Sequence, residues 1–332
     1  MEEKEAKLIQ EIISLGRKLY ERKLVVAKAG NLSCRLDDRN ILITASGTTL
    51  GSLKEDDIIK VNVDHEVEIK VKPLSTEFPL HRLIYKNFSH QVIIHCHPPI
   101  INGYFAVNNS LKNLTFESKL YLGDVPVILQ ETPSISKPES VIEALKTNNL
   151  AIIKNHGVVA VGNKFSDCLN LIETLEEAVK VAAVARLFDK KALDELDVEL
   201  KSSLEEKEKF SMFSEPHIQA IVDLVNQDKF IAQKGSELNL TTKLAIKLDG
   251  SSNIYKFNFD KGKITKLEHD EDAPFIISAP AEIWELIFLG KLDPFVATTQ
   301  GKMKLTGQLG QLSRWYVPFS RLFELFKQVT IK

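Results

Sequence analysis

Apolar residues recur at helical spacing at the start of the chain and again near its middle. Leu8, Ile12 and Leu15 share one face among charged residues, and they predict an amphipathic helix over residues 4–22. Residues 165–188 repeat this pattern, so they predict a long helix that packs one face against a core.

Between these helices, short apolar and β-branched runs alternate with Gly, Asp and Asn turns, which predicts a sheet of short strands. A helix is predicted over residues 75–87, and the buried strand QVIIHCH after it ends at the Pro98–Pro99 pair. The other predicted strands are NILITA, DIIKVNV, VEIKV, VPVIL, LAIIKN and VVAVG, and one more helix is PESVIEALK.

The chain changes character after residue 188, where mixed charges replace the apolar periodicity. We therefore predict a charged linker over 196–212, between a first domain at 1–195 and a second at 213–332. The second domain mixes strands with amphipathic helices, the pattern of a small α+β domain. A length of 332 residues also favours two domains, because single hydrophobic cores rarely grow that large.

Charge balance, hydropathy and cysteine spacing limit the partners and the location that we expect for this protein. The 43 Lys and Arg nearly balance the 45 Asp and Glu, so no overall charge favours a nucleic acid or an anionic membrane as partner. The sequence shows neither a membrane span nor the order of a signal peptide. Cys34, Cys96 and Cys168 are an odd, widely spaced set, which favours reduced thiols and a cytoplasmic location.

The run IIHCHPP places two histidines two residues apart in a segment of strand character. Side chains with that spacing share a strand face, so we expect His95 and His97 to reach one ion while Cys96 packs on the opposite face. Two histidines alone are a weak signal. His156 in KNHGVV ends another apolar strand, just before a glycine that permits close backbone approach. Three neutral imidazoles suit Zn²⁺, and Mn²⁺, Co²⁺ or Fe²⁺ also accept such ligands.

Glu77, in PLSTEFPLH, is the candidate carboxylate at the start of a predicted helix. Ser75 and Thr76 before it either cap that helix or join its backbone amides in an anion site that suits phosphate. The turns AGNLSCR and TASGTT offer further amides and hydroxyls for phosphate, although each is also ordinary turn chemistry. His81 shares a helix face with Glu77, and we expect it to orient a neighbour or to pack. The histidines not predicted to be ligands also include His65, His90, His217 and His269.

In chain order, the motifs AGNLSCR, ITASGT, PLSTE, HCHPP and NHGVVAVG resemble the class II aldolase and adducin family. The resemblance covers about residues 5–190 and is specific, because the five motifs keep the family's order and spacing. It implies an α/β fold in which helices flank a central mixed β-sheet. It also implies a homo-oligomer, usually a four-fold tetramer with sites at the subunit interfaces.

The same resemblance implies a role for each matching residue. His95, His97 and His156 match the family's zinc ligands. Glu77 matches the carboxylate that binds the metal at rest and then acts as the base. The positions that match those holding a substrate phosphate are Asn31, Ser46, Gly47, Ser75 and Thr76.

The chain departs from the family at the catalytic acid. The aldolases use a tyrosine from the neighbouring subunit, about twenty residues past the two-histidine motif. Here Phe116 and Glu117 stand near that place and Tyr121 is displaced. A glutamate there resembles the family's methylthioribulose-phosphate dehydratase branch, so Glu117 is either the acid of a dehydration or a surface residue.

The second domain resembles the sterol carrier protein 2 family, over about residues 213–332. The matching marks are a helix that ends in LGKLDP, the segment GKMKLTG and an amphipathic helix after it. The resemblance implies an α/β layer that encloses an apolar tunnel, and therefore an apolar ligand.

These expectations combine into the hypothesis of a zinc-dependent aldolase, a lyase acting on a small phosphorylated keto-sugar. Metal-chelated carbonyl and hydroxyl oxygens stabilise an enediolate while Glu77 moves the proton. The alternative enzymes are a dehydratase, an epimerase and a decarboxylase. A non-catalytic protein of the adducin type and an apolar-ligand carrier with a structural metal are the alternatives of another class.

Overall fold

The computed structural model describes residues 2–64, 74–129, 135, 138–188, 209–307 and 315–332. The chain divides into two compact units, Met1–Val198 and Glu199–Lys332. The predicted linker lies outside the described residues except for positions 209–212, and so do the predicted strand VEIKV and His65.

The first unit is built on a seven-stranded sheet, with strand order β3-β2-β1-β4-β7-β6-β5. Neighbouring strands are antiparallel except β5 and β6, which are parallel, so the sheet is mixed. The α/β fold expected from the sequence is confirmed. The strands are β1 (Asn31–Arg35), β2 (Asn40–Thr44), β3 (Ile58–Asn62), β4 (Val92–Cys96), β5 (Val127–Ile128), β6 (Leu150–Ile153) and β7 (Gly157–Gly162). The helices are α1 (Glu2–Glu21), α2 (Phe78–Asn87), α3 (Pro99–Val107), α4 (Phe116–Tyr121), α5 (Pro138–Thr147) and α6 (Phe165–Phe188).

Apolar side chains cover both faces of this sheet. One core includes Ile94 and Cys96 of β4 together with residues of α1, α3 and α6. The other includes Ile93 of β4 together with residues of α2 and α5. Because successive strand side chains alternate between faces, His95 lies on the α2 side and Cys96 packs on the opposite side.

Two local elements of the structure differ from what the sequence predicts. The sequence predicts a turn at NLSCR, but this segment forms β1 in the middle of the sheet, between β2 and β4. Its polar Asn31 and Ser33 are buried, so apolar alternation does not reveal the strand. The strand β4 ends at Cys96, before the Pro98–Pro99 pair, as the sequence predicts. The helix α3 that begins at Pro99 is not predicted, although proline fits the first position of a helix.

The second unit is a small α+β domain, as the sequence predicts. A five-stranded sheet has the order β11-β10-β9-β12-β13, and β8 and β14 form a separate parallel pair. The strands are β8 (Lys209–Phe210), β9 (Thr242–Leu248), β10 (Ile254–Asp260), β11 (Lys263–Glu268), β12 (Phe275–Ala279), β13 (Lys304–Thr306) and β14 (Thr330–Ile331). The helices are α7 (Glu215–Gln227), α8 (Lys229–Glu237), α9 (Ala281–Phe288), α10 (Pro294–Thr299) and α11 (Tyr316–Phe326). Across the described parts of both units, no helix combines the length and apolar character that a bilayer crossing requires.

Candidate metal centre

Three histidines converge where β4 ends and β7 begins. The Nε2 atom of His95 lies 2.9 Å from Nε2 of His97 and 3.0 Å from Nε2 of His156. His95 is fully buried, and the other two side chains are half-buried. Among the described residues these three form the only group of His, Cys, Asp or Glu whose donor atoms lie close enough together for a metal ion.

A backbone contact fixes the orientation of His95. Its Nδ1 atom lies 3.0 Å from the carbonyl oxygen of Val158, so the neutral ring donates its proton there. The Nε2 lone pair is then directed at the other two rings. Burial, followed by the neighbouring histidines, lowers the pKa of His95 well below its usual value. Burial and His156 lower the pKa of His97 to about 4, so these rings are neutral near pH 7.

Imidazole nitrogens that converge on one position are suited to hold a cation between them. Three imidazoles on one tetrahedral zinc, at about 2.0–2.1 Å each, hold their nitrogens roughly 3.3 Å apart. The observed separations of 2.9 and 3.0 Å are close to that spacing. The donor set therefore fits a divalent metal, and its chemistry suits Zn²⁺, Mn²⁺, Co²⁺ and Fe²⁺ alike.

Two glycines allow the backbone to approach the cluster. A Cβ atom on Gly157 would lie 2.4 Å from the carbonyl oxygen of Cys96 and 2.7 Å from Cδ2 of His97. Gly30 has a φ of +85°, and a Cβ there would lie 2.8 Å from the carbonyl oxygen of His95. Larger residues at these two positions would displace the strands that carry the histidines.

His156 is positioned through its backbone, in the turn between β6 and β7. Its N–H donates to the carbonyl oxygen of Ile153 at 3.0 Å, and its own carbonyl accepts from Nδ2 of Asn102 at 3.0 Å. Asn102, in α3, was not singled out in the sequence, because no motif connects an asparagine there to a histidine so distant in the chain.

Glu77 lies beside the cluster, at the N-terminal cap of α2. It is 6% exposed, and its Oε1 atom is 3.8 Å from Nε2 of His156. Burial raises the pKa of Glu77, and a backbone hydrogen bond from Ile135 partly offsets that rise. The carboxylate is therefore close enough to serve the cluster, yet lies outside hydrogen-bond distance of it.

The residues predicted to hold phosphate occupy three neighbouring segments. Asn31 is directly opposite His95 in the β1–β4 pair. The Ser46–Gly47 turn follows an isolated bridge between Ala45 and Leu74, which brings it beside the segment of Ser75 and Thr76. Ser75 is buried and its Oγ atom accepts from the N–H of Glu77 at 3.3 Å, while Thr76 is exposed.

Glu117 lies apart from these groups. It is exposed in the first turn of α4, and no hydrogen bond or ion pair joins it to the histidines among the described residues. Phe116 and Tyr121 of the same helix are 62% and 45% exposed.

Comparison with known proteins places this arrangement in a family. Residues 10–183 match the family model of the class II aldolase and adducin N-terminal domain. The chain belongs to this family. The class II aldolase part is followed by residues 229–315, which match the SCP-2 sterol transfer family.

Several relatives of the class II aldolase part are named as enzymes. L-fuculose phosphate aldolase of Methanocaldococcus jannaschii is 37% identical over 183 residues, which are 54% of this chain and 98% of the relative. The 3-oxo-tetronate 4-phosphate decarboxylase of Haemophilus influenzae is 31% identical over 51% of this chain and 84% of the relative. The crystal structure of L-fuculose-1-phosphate aldolase from Thermus thermophilus is 29% identical, covers 56% of this chain and 98% of that chain, and has a TM-score of 0.51.

Proposed function

We propose that the chain is a metal-dependent lyase of the class II aldolase type, which cleaves or forms a carbon–carbon bond in a small phosphorylated keto-sugar. The observation that carries the proposal is the convergence of the His95, His97 and His156 Nε2 atoms beside a buried carboxylate. The names of the family relatives, which include phosphorylated substrates, support the substrate class.

Each residue of the site has a defined task in this proposal. The three histidines hold Zn²⁺, or Mn²⁺, Co²⁺ or Fe²⁺, through Nε2. A divalent cation there polarises substrate oxygens and stabilises the negative charge that develops as a carbon–carbon bond breaks. Glu77 takes up or returns the proton, because its burial keeps it basic and close to the cluster. The residues that bind the phosphate are Asn31, Ser46, Gly47, Ser75 and Thr76.

The remaining acid is proposed to come from a second copy of the chain. Glu117 and Tyr121 are exposed on α4, so a neighbouring subunit can present them to a site. Large apolar side chains are exposed on α3 and α4, including Ile100 and Val107, which favours an oligomer such as the family's tetramer. The cysteines of the described chain are unpaired and buried, which supports a cytoplasmic location.

A metal-supplemented screen of sugar phosphates tests this proposal. The full chain is supplied with Zn²⁺ or Mn²⁺ and assayed separately for aldol cleavage, loss of water and loss of CO₂. We expect cleavage, with solvent isotope exchange into dihydroxyacetone phosphate. Loss of water alone would identify a dehydratase, and loss of CO₂ alone would identify a decarboxylase.

Glu77→Gln separates the base from the metal ligands. We expect the variant to retain metal and to lose proton exchange by roughly 10²–10⁴-fold, because general-base catalysis contributes about that factor. Glu282→Gln, a change on the exposed face of α9, is the matched control. Full exchange activity in Glu77→Gln would exclude Glu77 as the base.

The second unit carries a second candidate function, the binding of an apolar ligand. Its interior holds an apolar cavity of about 20 Å³. That volume suits about one water molecule, so a lipid chain must displace side chains to enter. The residues that line it include Leu244, Ile277, Phe295, Leu305, Phe319 and Phe323. Displacement of a fluorescent long-chain fatty acid from the full chain tests this, and no saturable binding would exclude it.

A further inference from the structure

A chain of buried hydrogen bonds leads from α2 to the side chain of Asn31. Tyr85 OH lies 2.8 Å from Ser33 Oγ, which lies 2.6 Å from Nδ1 of His81. Nε2 of His81 lies 2.6 Å from Oδ1 of Asn31. All four residues are buried, and His81 is fully so. None of the steps assigned to the metal and Glu77 uses Tyr85, Ser33 or His81.

The hydroxyl of Tyr85 sets the direction in which these hydrogen bonds are donated. Ser33 Oγ is the only hydrogen-bond partner of Tyr85 OH among the described residues. A buried O–H without an acceptor is costly, so Tyr85 donates to Ser33. Ser33 has one proton, and it therefore donates to Nδ1 of His81. The proton of the His81 ring is then on Nε2, and it is donated to the carbonyl oxygen of Asn31.

The two ionisable side chains in this series of hydrogen bonds, His81 and Tyr85, are both neutral, as the direction of donation requires. Burial lowers the pKa of His81 to about 3 and raises the pKa of Tyr85 well above its usual value. A single neutral tautomer of His81, with its proton on Nε2, therefore holds at physiological pH.

The direction of these hydrogen bonds also fixes the orientation of the Asn31 carboxamide. Since Oδ1 accepts from His81, the amide group is oriented and its NH₂ points away from the ring. This NH₂ donates no hydrogen bond to any described residue, although Asn31 is only 6% exposed. Asn31 is also directly opposite His95 in the sheet, next to the metal cluster. An oriented NH₂ group at that position, on a side chain that is otherwise buried, suits an anionic oxygen of a substrate.

We propose that His81 is a positioning residue that holds the Asn31 carboxamide with its NH₂ group presented to a substrate phosphate. The proposal rests on the function proposed above, in which Asn31 binds phosphate. Ser33 and Tyr85 act behind His81, because they select the tautomer that keeps the carboxamide in one orientation.

The helix that carries His81 is held firmly on the strand that carries Asn31. Arg35 of β1 donates from Nε to the carbonyl oxygen of His90 at 3.0 Å and from Nη2 to that of Phe88 at 3.0 Å. Its guanidinium lies over the Tyr85 ring, 4.8 Å from the centroid. His81 and Tyr85 are four residues apart and share one face of α2. Glu77, His81 and Tyr85 therefore belong to one helix, and hydrogen bonds join that helix to Ser33 and Asn31 of β1.

Binding of inorganic phosphate to the zinc-supplemented full chain, measured by calorimetry, tests the proposal. His81→Phe keeps a ring but removes the donor to Asn31, and we expect the phosphate Kd to rise about tenfold, which is ~1.4 kcal/mol. Tyr85→Phe removes the hydroxyl that fixes the direction of the hydrogen bonds through Ser33 and His81. Both orientations of the Asn31 carboxamide then become populated, and we expect the phosphate Kd to rise about twofold. Tyr20→Phe, an exposed phenol on α1, is the control with unchanged Kd.

A spectroscopic readout separates positioning from packing. In ¹⁵N spectra of histidine-labelled protein, we expect neutral His81 to carry its proton on Nε2 in the wild type, and to be a mixture of the Nε2 and Nδ1 tautomers in Tyr85→Phe. Metal content and Tm are measured in every variant to confirm that each one folds. A wild-type tautomer protonated on Nδ1 would overturn the proposal without reference to function.

The outcomes also separate this inference from the proposed function. If the wild type binds phosphate and His81→Phe binds it equally well, the positioning role is excluded while the aldolase proposal stands. If the wild type binds no phosphate but still cleaves a sugar, the phosphate site is excluded and this inference with it. If the wild type neither binds phosphate nor turns over any sugar phosphate, both proposals fail.

Discussion

Both units of the chain bury histidine side chains, but they use them differently. Burial lowers the pKa of His97 in the first unit to about 4, and it lowers the pKa of His217 in the second unit to about 4 as well. His97 meets two other imidazole nitrogens. His217 instead accepts a hydrogen bond at Nδ1 from the N–H of Phe213, and its ring packs edge-on against Phe288 at 4.6 Å.

The difference shows which property distinguishes the candidate site from an ordinary buried histidine. A buried histidine with low basicity occurs in both units, so that property alone is not diagnostic. The first unit adds convergence, because three imidazole nitrogens lie close together beside a carboxylate. Around His217 the neighbours are aromatic rings, and its Nε2 atom has no hydrogen-bond partner among the described residues. His217 is thus a core residue.

Removal of the central ligand is expected to have the largest effect. His95→Ala leaves two half-buried imidazoles without the ring that links them, so tightly bound metal should fall from about one per chain to almost none and turnover by roughly 10³-fold or more. Metal analysis of the purified chain and the sugar phosphate assay measure this. His269→Ala, whose side chain is 54% exposed in the second unit, is the control. Full metal content in His95→Ala would contradict the site.

A side chain added where the backbone passes close to the cluster is expected to have an intermediate effect on metal binding. Gly157→Ala introduces a Cβ 2.4 Å from the carbonyl oxygen of Cys96, so the strands must shift and the His97 ring must move. We expect metal affinity to fall by roughly 10–100-fold, as when the groups that orient metal ligands are altered. Gly103→Ala, on α3 with nothing within 4 Å of the new Cβ, should leave the affinity unchanged. Equal affinities in the two variants would show that close approach at Gly157 is unimportant.

The smallest effect is expected in the second unit, as a pH dependence of stability. The folded pKa of His217 is about 4, below its ordinary value, so the unfolded chain takes up the proton first as the pH falls. The stability of this unit should therefore drop by about 2 kcal/mol between roughly pH 6.5 and pH 4. Urea unfolding followed by tryptophan fluorescence reports it, because both tryptophans, Trp284 and Trp315, lie in this unit.

His217→Gln supplies the comparison for that measurement. Glutamine does not titrate, and its carbonyl can accept the hydrogen bond from Phe213. We therefore expect the variant to lose less stability than the wild type over the same pH range, with metal content unchanged. Parallel pH profiles for the two proteins would assign the dependence to other groups.

Much of the candidate site follows from local spacing in the sequence. The strand period places His95 and His97 on one face and Cys96 on the other, and the structure has that alternation. The long amphipathic helix predicted over residues 165–188 is α6 (Phe165–Phe188). These features depend on neighbours in the chain, so a periodic pattern is sufficient to predict them.

Other features could not be predicted because they join segments far apart in the chain. Asn102 reaches the carbonyl oxygen of His156 across a long sequence separation, and no motif relates the two. The strand β1 contains the buried polar residues Asn31 and Ser33, whose partners on α2 become visible only once helix and sheet are packed. When those partners are not known, the sequence pattern of polar residues in a strand cannot be distinguished from that of a turn.

The sequence by itself determined most of the helices and strands, the two families and the residue types able to bind a metal, because these depend on local periodicity and on motifs. Only the tertiary structure decided that three imidazole nitrogens meet, that Glu77 lies beside them and that His81 contacts Asn31. The reason is physical. The direction of a side chain and the sharing of a proton depend on groups that only folding brings together.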